Sequence, residues 1–406
     1  MMADISSLSV YLYDKKVATL TLLPGDSTLL AFEENYIEDE NRPILSLGFK
    51  DSFGQLITEH RPVRTRIPPF FSNLLPEGPL REYLAKRAGV KSEREFHLLW
   101  VLGKDLPGAV RIEPGDDAKW PGDDKESNLV SANTARENAL RFSLAGVQLK
   151  FSAVTKAHGG LTIPAQGAGG SWIVKLPSAV YPGVPENEYA MMEFARMLGL
   201  DVPETRLVPI KDIEGLPEGM DQLGGETFAI KRFDRADDGS AVHIEDFAQI
   251  FNVFPDRKYE RASYRNIADV IAAEIGDDGI EEFVKRLVFN ALIGNADMHL
   301  KNWSLIYPDR RNAKLAPAYD FVSTVGYLPD ENMALTLGRS KRFAELNEDQ
   351  LRQFAIKARL AEKYIIDIAT KMTEAFDDLW PQAKKEFALS KTLITSIEKH
   401  RKKVPL

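Results

Sequence analysis

The hydrophobic pattern of the chain changes character near residue 243. Ahead of that point, short apolar runs alternate with polar residues or sit between clusters of Gly, Pro and Asp, as strands joined by turns do. Beyond it, apolar residues recur at helical spacing over 263–275, 280–293, 348–377 and 380–400. This order predicts an α+β chain in which a strand-rich lobe with one helix precedes a large helical lobe. At 406 residues the chain is too long for one hydrophobic core. Three units are expected: a small α+β unit over 1–110, the strand-rich lobe over 111–238, and the helical lobe over 239–406.

Within the first unit, alternation over 9–23 around Asp14-Lys15-Lys16 predicts a hairpin, and 43–50 (PILSLGFK) reads as a further strand. The Pro- and Phe-rich run 67–79 cannot be regular helix throughout. Helices are expected over 80–87, with Gly89 as a stop, and over 94–103. Residues 114–137, rich in Gly, Asp, Ser and Asn, read as a linker or loop. In the second unit, a glycine turn lies between strand-like runs over 141–154, and strands are expected at 171–175 (SWIVK) and 228–233 (FAIKRF). Asn187 is placed to cap a helix that runs to Leu198 and closes at Gly199.

Composition narrows the chemistry. Cysteine is absent, so disulfides, zinc–thiolate sites and cysteine nucleophiles are excluded. The 52 basic and 60 acidic residues leave a formal charge of -8, the wrong sign for a protein that binds nucleic acid chiefly through phosphates. The basic stretch from Lys399 to Lys403 reads as a solvated helix end. No apolar run approaches the roughly 20 residues needed to cross a bilayer. The N-terminus shows no basic stretch followed by an apolar one, so no signal peptide is expected, and a cytoplasmic protein is.

The strongest chemical signal is Asp297-Met298-His299-Leu300-Lys301-Asn302, followed by Tyr319-Asp320-Phe321. Phosphoryl transfer needs a carboxylate near the attacking hydroxyl, oxygen ligands for magnesium, and cations along the phosphates. In the protein-kinase pattern the base Asp precedes a metal-binding Asn by five positions, which is the spacing of Asp297 and Asn302. Asp320, 18 residues beyond Asn302, suits a second metal ligand, and both offer the hard oxygen that magnesium prefers. Any one of these residues alone would be an ordinary turn residue; the fixed spacing is what points to chemistry. The pattern also resembles phosphoinositide-kinase loops.

Lys175, at the end of an apolar strand, puts a compact charge where nucleotide phosphates could meet it. Glu188, 13 residues on, is the candidate partner, ahead of Glu193. Upstream, Ser143-Leu144-Ala145-Gly146-Val147-Gln148-Leu149-Lys150 holds one glycine that could bring backbone N–H groups to phosphates. Lys231-Arg232-Phe233-Asp234-Arg235 falls where a hinge between lobes would read adenine through its backbone. There Asp234 with Arg232 or Arg235 reads as a structural ion pair.

These pieces together resemble the HipA family of toxin kinases over nearly the whole chain. The matching segments are FFSNLLPEGPLRE, LLWVLGKDLPGAVRI, RFSLAGVQLK, IVKLP, NEYAMMEFARMLGL, IKRFDR, HIEDFAQIF, IGNADMHLKN and PAYDF. The resemblance implies a bilobal kinase-like fold with an added N-terminal subdomain, and ATP and Mg2+ as cofactors. It implies Asp297 as catalytic base, Asn302 and Asp320 as metal ligands, and Lys175 on the phosphates. It further implies a nucleotide pocket of Ala145, Gly146, Val147, Gln148, Leu149, Lys150, Lys231, Arg232, Phe233, His299, Leu300, Lys301, Asn302, Tyr319 and Asp320. Ser143 matches the family's autophosphorylated, self-silencing serine. One departure is Lys231, at a position often Glu in the family. The implied acceptor is a Ser or Thr of a protein, such as an aminoacyl-tRNA synthetase and the glutamyl enzyme above all. The implied partner is a small helix-turn-helix antitoxin (HipB-like), through which the chain would reach DNA. Two other readings compete: a small-molecule or lipid kinase with the same nucleotide site, and a catalytically weak co-repressor acting through its antitoxin.

Overall fold

The computed structural model describes residues 6–87, 89–115, 150–155, 161–163, 170–178, 180–216, 220–328 and 332–406. Its N-terminal unit contains β1 (Ser7–Leu12), β2 (Lys15–Leu23), β3 (Ser27–Phe32), α1 (Glu34–Ile37), β4 (Val63–Arg64), α2 (Pro69–Ser72), α3 (Gly78–Arg87), α4 (Glu95–Leu102) and β5 (Val110–Pro114). The antiparallel sheet has the order β4-β3-β2-β1-β5. Period-two patterning turns Leu8, Val10 and Leu12 into a core shared with Phe70, Phe71 and Trp100. Because β5 closes this sheet, the first unit extends past residue 110.

The strand expected over 43–50 does not form. Those residues make a loop and a single 3-10 turn, Leu47–Phe49, whose start is capped by the Ser46 hydroxyl accepting from Gly48 N–H at 3.0 Å. The segment is held against the third unit instead of a sheet edge. A Cβ at Gly48 would stand 2.8 Å from the carbonyl oxygens of Gln249 and Ile250. That close approach leaves no room for a ladder partner.

The strand-rich lobe contains β6 (Lys150–Thr155), β7 (Leu161–Thr162), β8 (Trp172–Lys175), α5 (Val184–Met197), β9 (Thr205–Pro209), β10 (Ile213–Glu214) and β11 (Glu226–Lys231). Its sheet order is β10-β7-β6-β8-β11-β9. The helix α5 lays Ala190, Met191 and Phe194 toward Phe228 and Ile230. Asn187 does not cap it: Gly183, at φ 74°, stands at the N-cap, and Asn187 lies inside the first turns. Gly199 does close it, with Leu200 N–H donating to Ala195 O and Gly199 N–H to Arg196 O. Of the linker expected over 114–137, Pro114 belongs to β5 and residues 116–137 lie outside the described residues.

The third unit holds β12 (His243–Asp246), α6 (Phe247–Ile250), α7 (Tyr264–Glu274), α8 (Asp277–Ile293), β13 (Ser304–Tyr307), β14 (Lys314–Leu315), α9 (Glu348–Lys357), α10 (Glu362–Glu386) and α11 (Lys391–Arg401). The small sheet β12-β13-β14 was not expected in a helical lobe. It docks the first unit. Glu245 on β12 accepts from the Ser46 hydroxyl (2.5 Å) and Leu47 N–H (2.9 Å), and His243 bonds the Leu45 carbonyl at 2.8 Å. The helix expected over 348–377 is two helices. Arg359, at φ 56°, reverses the chain between them, with Leu360 N–H on Ala355 O and Arg359 N–H on Ile356 O. This is the same hydrogen-bonded ending that closes α5, with arginine in the glycine position.

Candidate active site

The site lies where β8, α5 and the loop after α8 meet. Lys175, 4% exposed, ends β8 with its ammonium between the carboxylates of Glu188 on α5 and Asp320. Lys150 stands directly opposite Lys175 in the β6–β8 ladder, and its ammonium is 3.4 Å from the other Asp320 oxygen. Two facing lysines would repel; two carboxylates between and beside them cancel the charge. Burial disfavours the Lys175 ammonium, but Asp320 and Glu188 outweigh it and hold its pKa above the ordinary lysine value. Asp320 is likewise opposed by burial and pulled far below the carboxylate range by Lys150 and Lys175. Burial keeps the Glu188 carboxyl above its usual value despite Lys175.

Asp320 sits in the left-handed region at φ 58°. A non-glycine residue held there costs on the order of 1–3 kcal/mol and persists only where its surroundings fix it. Two buried asparagines do so. Asn295 accepts from Asp297 N–H at 3.0 Å and donates to Asp320 O at 3.2 Å, so one side chain ties together the two loops that carry the carboxylates. Asn187 takes Ser323 N–H at 3.1 Å and gives its amide proton to Ser323 O at 2.9 Å.

Asp297 is half exposed at the mouth of this cleft, where Tyr259 donates its phenol proton to Oδ1. The His299 imidazole lies 3.8 Å from the same oxygen. Burial pushes His299 down to about 4, so it is neutral near pH 7. Asn302 donates through Nδ2 to the Asp297 carbonyl at 2.8 Å. A carbonyl can only accept, so that contact fixes the amide orientation and leaves Oδ1 as the free acceptor. Among the described residues nothing donates to this Oδ1. It and the Asp320 carboxylate are hard oxygens of the kind magnesium prefers. No group of three or more His, Asp or Glu side chains forms a metal cage among the described residues. A magnesium ion here would thus depend on nucleotide phosphates and water for its remaining ligands, its usual habit.

Other residues expected in the pocket fall into three groups. Tyr319 hydrogen-bonds Ser304 Oγ (2.5 Å) and the Lys301 carbonyl (2.9 Å), and its ring lies 5.6 Å from that of Phe233. This aromatic pair sits at the hinge, where Lys231 N–H is spent on Glu204 O and Arg232 N–H on Ser171 O. Phe233 N–H makes no hydrogen bond among the described residues. Four expected side chains are engaged elsewhere. Leu300 is wholly buried in the helical core, because its 3-10 turn packs against α6 and β12. The Lys231 ammonium is on the surface with Asp237 at 2.9 Å. Arg232 forks onto Asp234 (2.8 and 2.9 Å) and reaches Asp105 (3.1 Å), an ion-pair cluster completed by Arg235 that joins the first two units. Lys301 pairs with Glu77 of the N-terminal unit at 2.8 Å, and so does Lys258. Burial opposes Glu77 ionisation, yet these two ammonium groups pull its carboxyl down to about 2. Ser143, Ala145, Gly146, Val147, Gln148 and Leu149 lie outside the described residues.

A strand-rich lobe carrying a buried Lys–Glu pair, set over a helical lobe carrying an Asp–Asn loop, defines a kinase-like bilobal fold. A family model described as HipA-like C-terminal domain matches residues 142–380, and one described as HipA N-terminal domain matches 8–113. The chain belongs to the HipA family. It is 56% identical over 410 residues to a Sinorhizobium fredii protein named "Putative kinase Y4dM", covering all of this chain and 98% of that one. It is 25% identical to the Shewanella oneidensis protein named "Serine/threonine-protein kinase toxin HipA", over 80% of this chain and 77% of that one. The solved structure of Shewanella oneidensis HipA with HipB and its operator DNA has the same fold, with a TM-score of 0.73 over 98% of this chain and 95% of that one at 20% identity.

Proposed function

We propose that this chain is a serine/threonine-protein kinase toxin that transfers the γ-phosphate of Mg·ATP to a hydroxyl on a protein. The observation that carries the reading is the convergence of Lys175, Glu188 and Asp320 with Asp297 and Asn302, tied through Asn295. Lys175 binds nucleotide phosphates, held in place by Glu188. Phe233 N–H and the Phe233–Tyr319 ring pair receive the base. Asn302 and Asp320 would hold a magnesium ion, which would supply screening of phosphate charge. Asp297 accepts the proton of the acceptor hydroxyl as its oxygen bonds the γ-phosphorus and the bond to the ADP oxygen breaks.

Family membership supports an aminoacyl-tRNA synthetase such as the glutamyl enzyme as acceptor, Ser143 as a self-silencing phosphorylation site, and a small HipB-like antitoxin as partner. The acidic net charge fits a chain that meets DNA through that partner and works in the cytoplasm. The test is incubation with labelled ATP, magnesium and a panel of purified synthetases. Label on one synthetase Ser or Thr that disappears in Asp297→Asn supports the reading. Equal labelling by that variant, or none by the wild-type chain, overturns it.

A further inference from the structure

Tyr259 belongs to no motif, and its ring lies against the catalytic loop. It follows the short turn Pro255–Arg257 and is 38% exposed. Its ring and backbone are held by contacts on several sides. Its ring meets His299 edge-on at 4.9 Å. The preceding carbonyl, of Lys258, accepts Leu300 N–H at 3.4 Å. Its own carbonyl accepts from the Lys341 ammonium at 3.0 Å, which also holds Ala334 O at 2.8 Å. The phenol of this anchored ring donates to Oδ1 of Asp297. Oδ2 of Asp297 takes no hydrogen bond from the described residues. The charged groups acting on the neighbouring His299 are Asp297, Lys258, Glu77 and Asp320, and the Lys258 ammonium also stands 5.6 Å from the Tyr259 ring.

A half-exposed aspartate on a loop has several staggered rotamers of similar energy. A hydrogen bond from a rigid donor to one oxygen selects one of them and turns the second oxygen toward the open cleft. We propose that Tyr259 is the positioning residue for the catalytic base: it anchors Oδ1 so that Oδ2 faces the acceptor hydroxyl. The inference rests on Asp297 being the base of a phosphotransferase. It assigns Tyr259 to orientation, because its phenol donates to the Asp297 carboxylate.

The test uses the full chain, with Mg·ATP and two acceptors, water and dephosphorylated casein. Tyr259→Phe keeps the ring against His299 and removes only the donor. It should lower kcat about tenfold, as a small misplacement of a reacting group does, and leave KM for Mg·ATP and the melting temperature unchanged. Replacing Tyr259 by 4-aminophenylalanine restores a donor at the same point and should recover most of kcat; a purely packing role would not separate these two variants. In a crystal structure of Tyr259→Phe, the Asp297 carboxylate should leave its single orientation. Unaltered kcat, a loss confined to KM, or an Asp297 rotamer unchanged from wild type overturns the assignment. Absence of phosphotransfer by the wild-type chain overturns the kinase reading, whereas the rotamer measurement judges the contact by itself.

Discussion

Asn187 offers a sharp discrimination between two physical roles. As an N-cap it would tolerate Asp, which caps as well as Asn, and would lose about 1 kcal/mol on change to Ala. The structure makes it a clamp: its amide accepts from Ser323 N–H and donates to Ser323 O, with Asn187 and Ser323 both at 0% exposure. Asn187→Ala strands both backbone groups, each worth about 1–3 kcal/mol when buried without a partner, so a loss of roughly 3 kcal/mol is expected after partial relaxation. Asn187→Asp keeps the bond from Ser323 N–H but sets a carboxylate oxygen against the Ser323 carbonyl, and buries a charge as well. It should be at least as damaging as Ala. At roughly 2–4 °C per kcal/mol for a unit of this size, both variants should melt about 6–12 °C below wild type in scanning calorimetry. Both should also bind Mg·ATP more weakly, because the clamped loop carries Asp320. A near-wild-type melting temperature for Asn187→Asp refutes the clamp and restores the cap.

Two further outcomes are expected. Lys175→Met should weaken Mg·ATP binding by at least about tenfold in calorimetric titration, since it removes the buried cation that Glu188 and Asp320 hold toward the cleft; unchanged affinity refutes the phosphate role. Burial pushes Glu245 up to about 7 from 4.5 at the docking face of the N-terminal unit. The folded chain therefore holds this proton more tightly than the unfolded one. The stability it contributes is full below about 4.5 and is lost as pH rises through about 7. Glu245→Gln should accordingly gain up to roughly 3 kcal/mol at pH 8 and much less at pH 5, and an equal gain at both pH values refutes the linkage.

The fold was readable wherever structure depends on local pattern. The β1–β2 hairpin, the helices α3, α4, α7 and α8, and the lobe order all follow from periodicity and turn residues. Two helix ends show where that stops. Both α5 and α9 finish with the same pair of backward hydrogen bonds, at Gly199 and at Arg359. Glycine announces the left-handed residue because it adopts that conformation at little cost. Arginine does not, and the break at 358–361 was invisible. Apolar content misled over 43–50 for a related reason. Leu45 and Phe49 are buried as a strand's would be, but Ser46 and Gly48 are used to dock on β12 and α6.

The same division runs through the site. Asp297 and Asn302 are legible because they share one loop, where spacing is geometry: the Asn302 amide closes on the Asp297 carbonyl five residues back. The residues that aim them act across the chain. Asn187 reaches Ser323 over 136 positions, Tyr259 reaches Asp297 over 38, and Asn295 reaches Asp320 over 25. No periodicity marks such a residue, since its demand is a donor or acceptor at one point in space and many side chains could meet it from elsewhere. The strained backbone of Asp320 is the signal that would have exposed them. A left-handed aspartate is unstable unless something pays for it. Asking what holds it leads at once to Asn295 and Asn187, and from Asn295 to Asp297 and the phenol of Tyr259.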